Sequence, residues 1–123
     1  MNALRVSVAL ILQILLQVTA NAQCPQIIDG NGNASATPRW VHCNGTGYTL
    51  VIQTTIATGS YTINWGDGTS STGASLVPPT TVSHTYPATL RNYIITFSEP
   101  GKACVITGLL VIERPVNASI TRP

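Results

Sequence analysis

Charge is what this sequence has least of. Only 6 basic and 4 acidic residues occur among its 123 residues, and the formal net charge is +2 at pH 7. Charged residues make up 8% of the chain, against about 25% in an average protein. Nucleic-acid binding by phosphate neutralisation needs a dense basic surface, which this composition does not supply. We therefore expect no nucleic-acid partner.

The side chains that perform acid–base and metal chemistry are also few. The chain has two histidines, one lysine and four carboxylates, and it contains neither a CxxC pair nor a GxSxG motif. We therefore expect a protein that is not an enzyme and that uses no metal and no cofactor. Helical patterns are missing too, because beyond residue 22 the apolar residues never keep a helical period for ten positions.

The first 22 residues have the pattern of a secretory signal. Arg5 precedes the apolar run Val6–Val18, and the small residues Ala20 and Ala22 stand at the −3 and −1 positions of a cleavage site. The run is shorter than the roughly 20 residues that a membrane-spanning helix needs. We expect a signal helix cleaved after Ala22, a secreted or cell-surface location, and no stable membrane span in the mature chain.

The rest of the chain has the patterns of β-strands. Apolar and polar residues alternate in Ser60–Trp65 and in Tyr93–Ser98, as expected of strands with one buried face. Tyr48–Thr55 is rich in β-branched residues, and Val105–Glu113 is a longer apolar run that would suit a strand buried on both faces. Glycine and proline turn signals separate these segments. Several short strands in about 100 residues predict an all-β antiparallel sandwich.

The most specific segment runs from Tyr61 to Tyr86. It holds Ile63-Asn64-Trp65-Gly66-Asp67-Gly68-Thr69 and then His84-Thr85-Tyr86, and the strand Tyr93–Phe97 follows. These motifs resemble those of the PKD (polycystic-kidney-disease) domains, namely W-x-F-G-D-G-[ST], H-x-Y and Y-x-V-x-L-x-V. The resemblance covers about residues 46–114, with Ile63 where tryptophan is usual and Arg91 where glycine is usual. It implies an Ig-like β-sandwich module of a secreted or surface protein.

We expect the motif residues to be structural. Gly66 and Gly68 allow the positive φ angles of a tight turn, and Asp67 can accept hydrogen bonds from its backbone. Calcium binding by Asp67 is the alternative, but hard cations need six to eight oxygens and the chain has few other acids. His84 is expected to be a packed strand residue, and Tyr93 a tyrosine corner. The structural motif comprises Ile63, Trp65, Gly66, Asp67, Gly68, Thr69, His84, Tyr86 and Tyr93.

Three cysteines remain after the signal, so at most one bridge can form within the chain and one cysteine is left over. In modules of the PKD type a cysteine before the first core strand often pairs with one after the third. The resemblance therefore implies a disulfide between Cys43 and Cys104. Cys24 would then be free, pair between chains, or bind a partner outside this sequence.

These patterns divide the chain into four parts. Residues 1–22 are the signal peptide, and residues 23–42, with the polar run Asp29–Asn33, are expected to be an N-terminal leader or loop. Residues 43–114 form the PKD-like sandwich, and residues 115–123 are expected to be a linker or a truncated C-terminal end.

Two functions suit such a module. The first is a non-catalytic extracellular or cell-surface spacer or adhesion module that binds protein or carbohydrate. Trp40 and Tyr48 are the candidate ligand contacts, because amphipathic aromatic rings suit both kinds of partner. The alternative is an accessory module of a larger secreted hydrolase whose catalytic domain is not in this chain.

Overall fold

A computed structural model describes residues 23–114 of the protein. The predicted signal peptide and the predicted C-terminal linker lie outside the described residues. Within residues 23–114 no helix is long and apolar enough to cross a membrane. The strands are β1 (Ile27–Ile28), β2 (Ala34–Ser35), β3 (Arg39–His42), β4 (Tyr48–Ile52), β5 (Tyr61–Asn64), β6 (Ser70–Gly73), β7 (Val82–Tyr86), β8 (Arg91–Glu99) and β9 (Cys104–Ile112).

The strands form two main layers. A five-stranded sheet has the order β3-β9-β8-β5-β6, and β4 pairs with β7 in a second sheet. The short hairpin of β1 and β2 joins the second layer through a bridge between Ile27 and Thr54. All strand pairs are antiparallel except β3 with β9, which is parallel. The predicted all-β sandwich is confirmed.

Alternating side chains build the core between the layers. Along β5, and along β8 from Tyr93 onward, every second residue faces inward and is buried, as the sequence pattern predicts. Burying each large apolar side chain stabilises the fold by about 1.5–3 kcal/mol. The core cluster consists of Ile27, Trp40, Leu50, Ile52, Tyr61, Ile63, Trp65, Leu76, Tyr86, Tyr93, Ile95, Phe97, Ile106, Leu110 and Ile112.

Strand β9 is buried on both faces only at its end. Val105 and Thr107 are exposed while Ile106 is buried, so the first part of the strand alternates like β5 and β8. Only Leu110–Ile112 are buried in succession. The expectation of a strand buried on both faces therefore applies to its last three residues.

Residues 23–42, predicted as a leader or loop, are part of the sandwich instead. Strand β3 forms one edge of the large sheet, and Ile27 and Trp40 belong to the core. The glycine at position 108 makes room for Trp40, because a Cβ there would lie 2.7 Å from the indole. The sequence feature that marks this contact is the glycine within strand β9, and its partner Trp40 is far away in sequence.

The disulfide predicted between Cys43 and Cys104 is wrong: Cys104 bonds to Cys24, with 5.6 Å between their Cα atoms. Cys43 is an exposed free thiol. The direction of β3 explains the difference. Because β3 runs parallel to β9, His42, the residue before Cys43, pairs with Ile112. Ile112 lies eight residues along β9 from Cys104. At about 3.3 Å per residue that is roughly 26 Å, far beyond the limit of about 7 Å for a disulfide.

An ion pair between a buried carboxylate and a partly exposed lysine closes the hairpin between β8 and β9. Glu99, the last residue of β8, is only 1% exposed. Its Oε1 lies 3.2 Å from the Lys102 Nζ in the 3-10 turn Pro100–Lys102. A buried carboxylate needs such a partner, because water no longer stabilises its charge. The only lysine of the chain thus stabilises a turn of the fold.

Candidate functional site

The predicted glycine-rich motif forms a tight turn at the end of β5. Gly66 and Gly68 have φ angles of 79° and 91°, in the left-handed region that glycine tolerates. Asn64 Oδ1 accepts a hydrogen bond from the Gly66 amide at 3.0 Å. Gly66 is also packed closely, since a Cβ there would lie 2.5 Å from the Ile94 carbonyl oxygen. The chain makes this tight turn because both positions are glycine, and residues with a Cβ rarely adopt these positive φ angles.

Asp67 holds this turn with both carboxylate oxygens. Its Oδ1 accepts hydrogen bonds from the Thr69 amide at 3.0 Å and from the Thr69 hydroxyl at 2.5 Å. Its Oδ2 lies 2.6 Å from His84 Nε2, on β7. Desolvation raises the pKa of Asp67, but the hydrogen bonds from Thr69 and His84 outweigh it and lower the pKa to about 2.

His84 and Tyr86 connect this turn to the core and to the second sheet. The His84 ring stacks on Trp65, with 4.9 Å between centroids and 14° between planes. The Tyr86 hydroxyl donates a hydrogen bond to the Trp65 carbonyl at 2.7 Å. Burial raises the pKa of Tyr86. Since Trp65 follows a strand of the large sheet and His84 and Tyr86 lie on β7, these contacts join the two layers.

The predicted motif residues therefore come together, with one change of role. The Tyr93 hydroxyl makes no hydrogen bond among the described residues, and Tyr86 instead ties its hydroxyl to backbone upstream. Tyr93 packs against Tyr86 with 4.5 Å between ring centroids. The central carbon of the Arg91 guanidinium lies over the Tyr93 ring, 5.3 Å from its centroid. Ile63 is fully buried in the core. Within residues 23–114 no three histidine, cysteine or acidic residues form a group suited to a metal ion.

A second feature, which sequence reasoning missed, is a polar depression beside the edge strand β3. We call it the Arg39 hollow. Its volume is about 180 Å³, and it is open to solvent. The sequence showed no sign of it, because three separate segments contribute its walls. The lining residues are Asp29, Gly30, Asn31, Arg39, Val41 and Tyr48.

Hydrogen bonds fix one wall of the Arg39 hollow. Asp29 Oδ1 accepts the amide hydrogens of Asn31 and Asn33, both at 2.9 Å, which shapes the turn between β1 and β2. The Gly30 amide donates to the Arg39 carbonyl at 3.1 Å and so attaches this turn to β3. The polar run Asp29–Asn33, expected to be part of a leader or loop, is thus a turn that is hydrogen-bonded to the large sheet.

The lining of the hollow includes one of the two predicted ligand contacts. Tyr48, the first residue of β4, lines the hollow, and its ring packs against His42 with 4.8 Å between centroids. Partial burial raises the pKa of the Tyr48 phenol through desolvation. Trp40 points the other way and is only 3% exposed. The prediction that Trp40 contacts a ligand is therefore corrected: its indole packs in the core against β9.

Comparisons of the chain with protein-family models, with curated proteins and with solved structures found no match.

Proposed function

We propose that this chain is a non-catalytic, PKD-like β-sandwich module of the cell surface or the extracellular space. It acts as a spacer and adhesion module that binds a carbohydrate or protein partner. The observation that carries the proposal is the Asp67–His84 pair. Both Asp67 oxygens are hydrogen-bonded within the fold, and the His84 ring is stacked on Trp65. The acid and the imidazole that would be the first choice for catalysis thus hold a turn in place.

The assembly of the motif supports the PKD-like part of the proposal. Trp65, Asp67, His84 and Tyr86 are distant in sequence, yet they form one connected set of contacts. A chance match of two short motifs gives no reason for such contacts. The motif has a physical role here, because it ties β5 to β7 across the sandwich.

The cysteines support an extracellular location. The Cys24–Cys104 bond closes a loop of 80 residues in sequence separation. Structural disulfides of this kind persist in oxidising compartments and are rare in the cytosol. The small number of charged side chains also suits a protein whose outer strand faces carry threonine, such as the Thr49–Thr85 pair with 3.0 Å between hydroxyl oxygens.

Two measurements on the protein expressed from its full sequence test the proposal. The first is fractionation of the host cells, with counting of free thiols in the native protein. We expect the protein outside the cytosol with one free thiol per chain. Recovery in the cytosol with three reduced cysteines would contradict an extracellular module.

The second measurement is binding of the purified protein to an array of glycans and to immobilised surface proteins. We expect retention on a subset of these, together with no release of products from the bound glycans or proteins. Product release per molecule of bound protein that is lost in His84→Gln but kept in His42→Gln would contradict the non-catalytic proposal. His42 is the matched control because it lies on the edge strand, away from Asp67.

A further inference from the structure

We infer that the Arg39 hollow is a carbohydrate-binding site that holds one neutral hexopyranose ring. This inference rests on the proposed adhesive function and gives it a place on the molecule. The volume of about 180 Å³ is smaller than the roughly 300–1,000 Å³ of pockets for drug-sized ligands. A single sugar ring, with the rest of the glycan in solvent, fits a hollow of this size.

The free edge of β3 supplies main-chain hydrogen-bonding groups to the hollow. Pro38 and His42 direct their carbonyls towards β9, where they accept from Leu109 and Glu113. In a parallel pair alternate residues bond to the partner strand, so Val41 directs its N–H and C=O away from β9. Val41 also lines the hollow, and its side chain is 54% exposed. Its peptide groups therefore offer one donor and one acceptor at the hollow.

The charged side chains offer complementary groups without net charge. Arg39 makes no ion pair within residues 23–114, and Asp29 uses only Oδ1 in the turn. The guanidinium is a donor and the second carboxylate oxygen is an acceptor. Because the two charges cancel, the site favours a neutral ligand over an anion, which Asp29 would repel. Vicinal hydroxyls of a sugar both donate and accept, and so match this set.

Tyr48 gives the site an apolar wall. The C–H face of a pyranose is apolar and packs well on an aromatic ring, while the phenol hydroxyl remains available for a hydrogen bond. His42 packs against Tyr48 and limits the movement of the ring. A ring held in one orientation loses less entropy when a ligand binds.

An extended peptide suits this edge less well than a compact polyol. Strand addition needs a row of unpaired peptide groups. Here the Arg39 carbonyl already accepts from Gly30, and the turn that contains Asp29 stands over that end of the strand. Only a short stretch of the edge around Val41 stays open, which is enough for a sugar ring and too little for a strand.

Titration of the isotopically labelled full chain with methyl glycosides of glucose, galactose and mannose tests the site by NMR. A glycine-serine peptide of six residues serves as the second arm. We expect one of the glycosides to shift the amide signals of Asn31 and Val41 in a saturable way, and the peptide to shift neither. Saturable shifts from the peptide alone, or sugar shifts confined to other strands, would overturn the inference.

Two variants and a matched control locate the binding. Asp29→Asn keeps the side-chain oxygen that shapes the turn but removes the carboxylate charge, and Arg39→Gln removes the guanidinium. Each variant should weaken sugar binding about tenfold, because each loses a charge-assisted hydrogen bond. Arg91→Gln removes an arginine from β8 and should leave the affinity unchanged. Equal weakening in all three variants would overturn the site.

The same variants separate this inference from the proposed function. If Arg39→Gln and Asp29→Asn keep full binding on the glycan array, the adhesive function stands and the Arg39 hollow is not its site. If the unaltered protein binds no glycan on the array and no methyl glycoside in solution, the carbohydrate site is refuted, while protein partners still test the adhesive function.

Discussion

Replacing Cys24 by serine tests how the chain is held together. The Cys24–Cys104 bond spans 80 residues of sequence separation. In the chain-entropy model, closing such a loop lowers the entropy of the unfolded chain by about 15 cal/mol/K, which stabilises the fold by about 4.5 kcal/mol at 25 °C. The whole stability of an ordinary domain is about 5–15 kcal/mol. We therefore expect Cys24→Ser to lose a large part of the free energy of unfolding.

Urea unfolding followed by tryptophan fluorescence measures this loss, because Trp40 and Trp65 are both buried. With a slope of about 1.5 kcal/mol per molar urea, the midpoint should fall by about 3 M. The protein with its disulfide reduced should unfold at the same concentration as Cys24→Ser. The reduced form therefore serves as an independent check on the variant.

Cys43→Ser is the matched control. Cys43 is exposed and free, so its replacement should change the free energy of unfolding by no more than about 0.5 kcal/mol. The reasoning is refuted if Cys43→Ser is the destabilising variant, or if Cys24→Ser unfolds within about 1 kcal/mol of the unaltered protein.

Three further predictions concern the glycine-rich turn after β5 and its contacts with the second sheet. Because folding lowers the pKa of Asp67 from 3.8 to about 2, its stabilisation is complete above about pH 5 and is lost as the pH falls through 2. Urea titrations should show Asp67→Asn less stable by about 1 kcal/mol at pH 7, with most of this difference lost at pH 2; a difference independent of pH contradicts this. Gly66→Ala should cost about 2 kcal/mol more than Gly68→Ala in thermal unfolding, since only Gly66 faces the Ile94 carbonyl; equal losses contradict the packing. Tyr86→Phe should lose about 1–2 kcal/mol by leaving a buried carbonyl without its donor, and an unchanged melting temperature would contradict it.

The strands with a clear alternation of apolar and polar residues were predictable from the sequence. Tyr61–Asn64 and Arg91–Glu99 bury one face each. A strand with one buried face alternates apolar and polar residues, so the sequence pattern predicts it. Strand β6 carries only serine, threonine and glycine, so its pattern has no apolar residue to reveal it. Strand β3 has four residues and a single buried one, Trp40, which is too little for a pattern.

The disulfide and the Arg39 hollow were not predictable from the sequence, for different physical reasons. The disulfide depends on the direction in which β3 runs beside β9, which the order of strands in sequence does not determine. Antiparallel pairing of these two strands would have reversed which end of β9 lies near Cys43. The hollow forms only where three separate segments of the chain meet. The turn motif at Asp67 was predictable because its glycines and its aspartate act mostly on near neighbours.

The disulfide has a mechanical consequence as well. A pull on the two ends of the described chain enters at Cys24, crosses the sulfur–sulfur bond to Cys104 and leaves along β9. Residues 25–103 lie outside this path and carry no tension. Strand β9 is already extended at about 3.3 Å per residue, close to the limit of about 3.6 Å. A load applied between these two ends therefore extends the described residues very little.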